Sequence, residues 1–70
     1  MFEALARVIE QRRGDLSAQE LSNVAWAYAK AGQTNPKLFQ VLGEVVMQRV
    51  GEFSSRELAN MAWAFAKVDH

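Results

Sequence analysis

The sequence contains no cysteine, one proline and one histidine, which is the last of its 70 residues. Without cysteine the chain can form neither a disulfide nor a thiolate metal site, and a lone terminal histidine nearly excludes metal clusters and histidine-based catalysis. No apolar run approaches the roughly 20 residues that a membrane-spanning helix needs. The formal net charge is zero, so any nucleic-acid binding would depend on local patches of positive charge.

The sequence also lacks a nucleophile–base arrangement, a phosphate-cradling glycine loop and metal-ligand spacing. Glu20 and Glu57 resemble a carboxylate pair, but each stands three residues after a serine, where a helix-capping role accounts for it. We therefore predict no enzymatic activity and no cofactor.

What the chain does contain is a duplication with a period of 37 residues. Residues 16–30 and 53–67 share nine identities in fifteen pairs, and residues 1–15 share a weaker similarity with residues 38–52. A fixed period of 20 to 50 residues indicates a repeat array. The strongest identities lie in the matching segments Leu21-Ser-Asn-Val-Ala-Trp-Ala-Tyr-Ala-Lys30 and Leu58-Ala-Asn-Met-Ala-Trp-Ala-Phe-Ala-Lys67.

Start and stop signals predict four helices, over residues 1–13, 17–31, 36–50 and 54–68. Ser17 with Glu20 and Ser54 with Glu57 form two capping boxes, and Asn35-Pro36 is a helix start with proline at the first helical position. Three glycines are expected to end the first three helices: Gly14, Gly32 and Gly51. Positive charge from Arg12 and Arg13 would fall in the last turn of the first helix.

Hydrophobic spacing predicts which residues of these helices are buried. The first helix would bury Phe2, Leu5, Val8 and Ile9, and the third Phe39, Leu42, Val45, Val46 and Val50. We expect Trp26 and Trp63, which lie among alanines, to form the core between helices. Gly43 in mid-helix suggests that another helix approaches closely there.

These elements predict an all-α fold of two stacked antiparallel hairpins in an α-solenoid. The first unit would span residues 1–37 and the second unit residues 38–70. Two units fall short of the three or so that a stable array normally requires. We therefore expect the exposed ends to bind other protein subunits or to self-associate.

The motif Leu-x-Asn-x-Ala-Trp-Ala-aromatic-Ala-Lys, followed by Asn35-Pro36-x-Leu38-Phe39, resembles the octotricopeptide repeat, which is related to repeats of organellar proteins with a RAP domain. The resemblance covers almost two units. It implies paired antiparallel helices, location in a chloroplast or mitochondrion, and binding of single-stranded organellar RNA that supports transcript stability, processing or translation. Family members usually carry many units, whereas this chain has two, and we expect it to contain neither a RAP domain nor a transit peptide. Helix-forming sequence starts at Met1, so we expect a fragment, a truncated form or an unusually short relative, with no targeting segment in this chain.

Helical spacing places Asn23, Ala27 and Lys30 on one face, and Asn60, Ala64 and Lys67 on the matching face. Stacked units would align them into a ladder of amides and a ladder of cations, suited to base edges and to phosphates. The alternatives are that the asparagines bond to backbone between units and that the lysines are simply solvated.

Base discrimination would instead need exposed positions that differ between units. The first and third helices offer the pairs Glu3/Gln40, Arg7/Glu44 and Glu10/Met47. These positions could equally vary because nothing constrains them. Arg12 and Arg49 recur at the helix ends, where either a phosphate contact or compensation of the helix dipole would explain them.

Two functions follow from these observations. The first is an RNA-binding helical repeat of organellar type, which the resemblance favours. The second is a protein–protein scaffold or small subunit of a larger organellar assembly, which the neutral net charge favours.

Overall fold

The computed structural model describes residues 2–68, which form four α-helices and one short 3₁₀ helix with no strand among them. The predicted all-α class is confirmed. The 3₁₀ helix, Val50–Glu52, separates the last two α-helices. In chain order the α-helices are α1 (Phe2–Gln11), α2 (Ala18–Lys30), α3 (Pro36–Gln48) and α4 (Ser55–Val68).

The predicted starts of the second, third and fourth helices are confirmed by side-chain hydrogen bonds, and the start predicted at residue 1 lies outside the described residues. The Glu20 amide donates to Ser17 Oγ at 3.1 Å, and the Ser17 amide donates to Glu20 Oε1 at 2.8 Å. Ser54 and Glu57 repeat both bonds before α4, at 3.2 and 2.8 Å. Asn35 Oδ1 accepts from the amide of the third residue of α3 at 2.9 Å. Each cap satisfies backbone donors that the first helical turn leaves unpaired.

Only one of the three expected glycine stops has a left-handed backbone. Gly32 has φ 72°, its amide donates to Ala29 O, and the Gln33 amide donates to Tyr28 O. These two bonds form a Schellman motif, which needs a residue that tolerates positive φ. Gly14 has no positive φ and lies in a turn three residues beyond the end of α1, and Gly51 lies within the 3₁₀ helix after α3, so neither glycine ends its helix as predicted.

The helix α1 ends two residues before the predicted boundary. It stops at Gln11, so Arg12 and Arg13 belong to the following turn and not to the last helical turn. The Arg12 amide still donates to Val8 O and Ile9 O, at 3.0 and 3.2 Å, and the Asp15 amide then closes the turn onto Arg12 O at 2.8 Å. Neither arginine therefore lies in the last turn of the helix, where its charge was expected to compensate the helix dipole.

Each helix packs against its counterpart in the other unit: α2 against α4, and α1 against α3. Alanines allow the first of these pairs to approach closely, since Ala25 and Ala64 are fully buried. The hydroxyl of the buried Ser22 donates across the same contact to Glu57 O at 3.4 Å. The rest of the core consists mainly of larger apolar side chains, including Leu21, Tyr28, Leu38, Leu42, Val45 and Met61.

The predicted buried stripes are partly wrong. In α1, Ile9 is buried and Phe2 partly buried, but Leu5 and Val8 are 42% and 46% exposed, and Ala6 takes the buried position facing the core. The reason is that no further helix in residues 2–68 packs over the outer side of α1. In α3, Phe39, Leu42 and Val45 are buried and Val46 is partly buried, whereas Val50 is exposed because it lies beyond the helix end.

The tryptophans lie at the contact between α2 and α4 but not in the core. Trp26 and Trp63 are each 43% exposed, which contradicts the prediction that they are buried. Their rings contact each other at a centroid distance of 6.4 Å and a tilt of 31°. The small residues on the neighbouring helix positions fill the buried seam, so the indoles are left at its rim.

Candidate nucleic-acid interface

An aromatic and cationic strip runs across the surface where α2 meets α4. It consists of Lys30, Trp26, Trp63 and Lys67. Lys30 Nζ lies 5.2 Å from the Trp26 ring centroid, and Lys67 Nζ lies 5.9 Å from the Trp63 ring centroid. With the two indoles in contact, the four side chains form a continuous strip of half-exposed rings with one cation beside each.

Helical spacing explains why this strip forms. In each unit the lysine follows the tryptophan by four residues, so the two side chains project from the same face of the helix. The alanines around the tryptophans predict a core position for both indoles. The repeated spacing between tryptophan and lysine was the signal that could have placed the indoles on the exposed face.

Most carboxylates of the chain are engaged away from the strip. Glu20 and Glu57 bond to backbone amides in the capping boxes. The ion pairs of the described residues are Arg13–Glu44 at 3.5 Å, Lys37–Glu10 at 3.9 Å and Arg49–Glu52 at 2.9 Å. The contacts that the structure gives the two lysines of the strip are with aromatic rings, which hold a cation weakly at exposed sites.

The two asparagines occupy equivalent positions with different exposure. Asn23 is exposed and Asn60 is half-buried. In residues 2–68, the hydrogen bonds that link the units come from Ser22 and Arg49 and involve neither asparagine. Both amides lie one helical turn before a tryptophan of the strip, at a spacing of three residues.

The variable positions lie on α1 and α3, away from the seam between α2 and α4. Arg7 and Gln40 are exposed, as are Glu3 and Met47. Glu44 is paired with Arg13, and Glu10 is half-buried against Lys37. Two of the six candidate positions for base reading are therefore engaged with cations of this chain.

Arg49 joins the two units. Its guanidinium donates to Arg13 O at 3.1 Å and to Leu16 O at 2.8 Å, while Glu52 accepts from it at 3.1 and 2.9 Å. Arg49 thus anchors the end of α3 to the loop between α1 and α2. Its equivalent Arg12 is exposed. The two arginines, which the sequence treats alike, are in different surroundings.

Tyr28 is the buried titratable group of the core. Its hydroxyl donates to Phe2 O at 2.7 Å, and its ring meets the Phe2 ring edge-on at 5.0 Å. Burial, with a smaller contribution from the negative charge of Glu10, raises the pKa of the Tyr28 phenol. The phenol therefore stays neutral as a structural hydrogen-bond donor.

Neither a membrane span nor a metal cluster is found in the described part of the chain. No helix there is both long and apolar enough to cross a bilayer, and no group of three or more metal-ligating side chains comes together. Comparison with protein-family models, with curated proteins and with solved structures gives no match. The resemblance to octotricopeptide repeats remains an expectation based on the duplicated motif.

Proposed function

We propose that this chain is a helical-repeat module that binds single-stranded RNA along the strip formed by Lys30, Trp26, Trp63 and Lys67. The observation that carries the proposal is the pair of half-exposed indoles, each with a lysine beside it. Sequence-tolerant binders of single strands combine stacking rings with cations that follow the backbone. By family resemblance, the module would act in a chloroplast or mitochondrion on the stability, processing or translation of a transcript. We assign it no catalytic role.

The energetics of the strip are compatible with this use. A cation beside an exposed ring gains about 0.5–1 kcal/mol, so a phosphate can attract either lysine at little cost. Stacking of a base on an aromatic ring contributes about 1–3 kcal/mol. Because the chain has no net charge, affinity would come from these local contacts and would be modest.

In the proposed arrangement the two units form stacked hairpins of an α-solenoid, with α2 and α4 carrying the RNA face. Asn23 and Asn60 would supply hydrogen bonds to base edges next to the stacked rings. Being the same in both units, they would not discriminate between bases. The surface of α1 and α3 would contribute to RNA binding only if the strand also crossed it. Its candidate residues are Arg7, Gln40 and Glu44.

The test is a titration of the 70-residue chain with short single-stranded RNA pools at several salt concentrations. Each phosphate contact contributes about −0.7 to the slope of log affinity against log salt, so two lysines predict about −1.4. Lys30→Gln and Lys67→Gln should each remove about half of that slope. Trp26→Ala should weaken binding by roughly 5-fold to 150-fold.

A matched control is Arg56→Gln, which removes the same charge from the exposed first turn of α4. Arg56 lies about 16 Å along the helix from Lys67, so its loss should leave the slope unchanged. Circular dichroism of each variant would establish that the helices are intact. Equal loss for Arg56→Gln would show that the attraction is not local to the strip.

The second candidate is a protein–protein scaffold, favoured by the zero net charge and by the exposed Leu5, Val8 and Met47. It predicts no RNA binding even at low salt. That result, together with a stable protein complex recovered from an organelle, would replace the RNA proposal.

A further inference from the structure

Equivalent residues of the two units differ in burial although their side chains are identical. Leu5 is 42% exposed, whereas Leu42, 37 residues later, is fully buried. Val8 is 46% exposed and Val45 only 3%. Because the residue types and helix positions are the same, the neighbouring unit must cause the difference.

On the second helix of each unit the difference in burial is reversed, with the first unit more buried than the second. Leu21 and Ala25 are fully buried, but their equivalents Leu58 and Ala62 are half-buried and exposed. Each unit thus carries two complementary apolar faces. The first unit uses one of them to hold the second unit, and in residues 2–68 no further unit packs on the remaining two, whose residues are exposed or partly buried.

We name these uncovered surfaces by their position. The head face, on the first unit, consists of Leu5, Val8, Leu16, Val24 and Ala27, whose equivalents Leu42, Val45, Phe53, Met61 and Ala64 are all buried. The tail face, on the second unit, consists of Gly43, Val46, Leu58, Ala62 and Phe65, whose equivalents Ala6, Ile9, Leu21, Ala25 and Tyr28 are all buried.

We propose that the head face of one molecule docks on the tail face of a second copy of this chain and repeats the contact already present between the two units. The internal contact identifies the partner. The head face is equivalent to the surface by which the second unit docks on the first, and the tail face is equivalent to the surface of the first unit that receives it. In the complex α2 of one molecule would lie beside α4 of its neighbour. Such a head-to-tail interface adds one molecule after another, giving open chains unless the rotation between successive molecules closes a ring.

A polar contact fixes the register of this docking. Within one molecule, Arg49 donates to the carbonyl oxygens of Arg13 and Leu16. The same contact shifted by 37 residues would direct Arg12 to the carbonyl oxygens of Val50 and Phe53 in the neighbouring molecule. Exposure of Arg12 leaves it accessible for this contact.

The acidic partner of the arginine is also repeated. Glu52, three residues after Arg49, holds the guanidinium in place. Asp15 stands three residues after Arg12 and can orient it in the same way. The docking would also bring Trp26 of one molecule next to Trp63 of the other, so the strip of indoles would continue across the junction.

The first experiment is sedimentation of the 70-residue chain over a range of concentrations, with one charge placed in each face. Wild type should associate as concentration rises. Val8→Glu in the head face and Ala62→Glu in the tail face should each weaken self-association about 100-fold or more, because each carboxylate would lose its water among apolar side chains. Gln48→Glu, which adds the same charge at an exposed position outside both faces, should associate like wild type.

Mixing the two face variants tests the head-to-tail geometry directly. Val8→Glu keeps an intact tail face, and Ala62→Glu keeps an intact head face, so the mixture should form a 1:1 dimer and nothing larger. A mixture that stays monomeric, or a single variant that still dimerises strongly, would overturn the proposal. So would a wild-type chain that remains monomeric at millimolar concentration.

The register is tested with Arg12→Gln. Loss of two hydrogen bonds from a charged group should raise the dissociation constant of self-association about tenfold or more, with an unchanged melting temperature of the dilute monomer. Arg56→Gln is the charge-matched control and should change neither quantity. Association of Arg12→Gln at wild-type strength would refute this register.

This inference goes beyond the proposed RNA binding and does not require it. Self-association is measured without RNA, and the face variants leave Lys30 and Lys67 intact. Failure of one proposal therefore leaves the other to be judged on its own readout.

Discussion

The two units of this protein have nearly the same sequence pattern in different surroundings. Both contain an edge-on aromatic pair, Phe2 with Tyr28 at 5.0 Å and Phe39 with Phe65 at 5.4 Å. Both also begin their second helix with the same capping box. These contacts lie within one unit and occur in both units. The burial of residues that face a neighbouring unit differs between the two. The comparison separates what a unit determines alone from what its neighbour adds.

The largest expected difference in stability comes from making the same leucine-to-alanine substitution in both units. Leu42→Ala should lower the free energy of unfolding by roughly 2–5 kcal/mol, because it opens a cavity at a fully buried position. Leu5→Ala should cost only about 1–1.5 kcal/mol in the dilute monomer, since Leu5 is already 42% exposed and leaves no enclosed cavity. Urea unfolding at low protein concentration measures both. Equal losses would contradict the assignment of Leu5 to an uncovered face.

The next contrast is between the two equivalent arginines. Arg49→Gln should destabilise the monomer by about 2 kcal/mol, because it removes charged hydrogen bonds to two loop carbonyls. Arg12→Gln should change the stability of the dilute monomer by no more than about 0.5 kcal/mol, as expected of an exposed surface position. Thermal unfolding of both variants beside wild type gives the comparison. A stable Arg49→Gln variant would mean that the two loops are held together by the apolar contacts alone.

A third contrast concerns Tyr28, which occupies the position of Phe65 in the second unit. Tyr28→Phe should cost about 1 kcal/mol at neutral pH through loss of the hydrogen bond to Phe2 O. Because burial raises the pKa of this phenol in the folded chain, its contribution is present below the unfolded pKa of about 10 and is lost as pH rises through the folded pKa.

The measurement for Tyr28 is the free energy of unfolding of wild type and Tyr28→Phe between pH 7 and pH 11. The difference between the two proteins should shrink above about pH 10. Tyr28 is the sole tyrosine, so the variant has no phenol to titrate. Lysine titration affects both proteins alike and cancels in the difference between them. A difference that stays constant to pH 11 would argue against a structural role for the neutral hydroxyl.

Sequence reasoning predicted the features that depend on local chemistry. The capping boxes at Ser17 and Ser54 and the stop at Gly32 are formed by residues within one turn of each other, so the sequence alone defines them. The sequence-based prediction failed at positions whose burial depends on a neighbouring unit. The pattern of Leu5 and Val8 is that of a buried stripe, and only the arrangement of the units reveals that their face is uncovered.

The candidate site shows the same limit. The spacing of Lys30 and Lys67 on one helix face could be derived from helix geometry. The exposure of Trp26 and Trp63 could not, because an indole among alanines is equally compatible with the core and with its rim. Their position depends on the alanines packing closely enough to fill the seam between α2 and α4 on their own.

The smallest expected effect concerns Gly43, which replaces Ala6 of the first unit. A Cβ built at Gly43 would lie 3.4 Å from Phe65 Cε2 and 3.7 Å from Cζ, which is ordinary contact with a ring and not a clash. Gly43→Ala should therefore stabilise α3 by about 0.5–1 kcal/mol through helix propensity. The reciprocal change Ala6→Gly should destabilise by at least as much, since Ala6 is 1% exposed and also loses a buried methyl group. Urea unfolding of the pair decides between two explanations of this glycine: a loss of stability in Gly43→Ala would mean that the approach of Phe65 requires it, and a gain would mean that the fold tolerates alanine in both units.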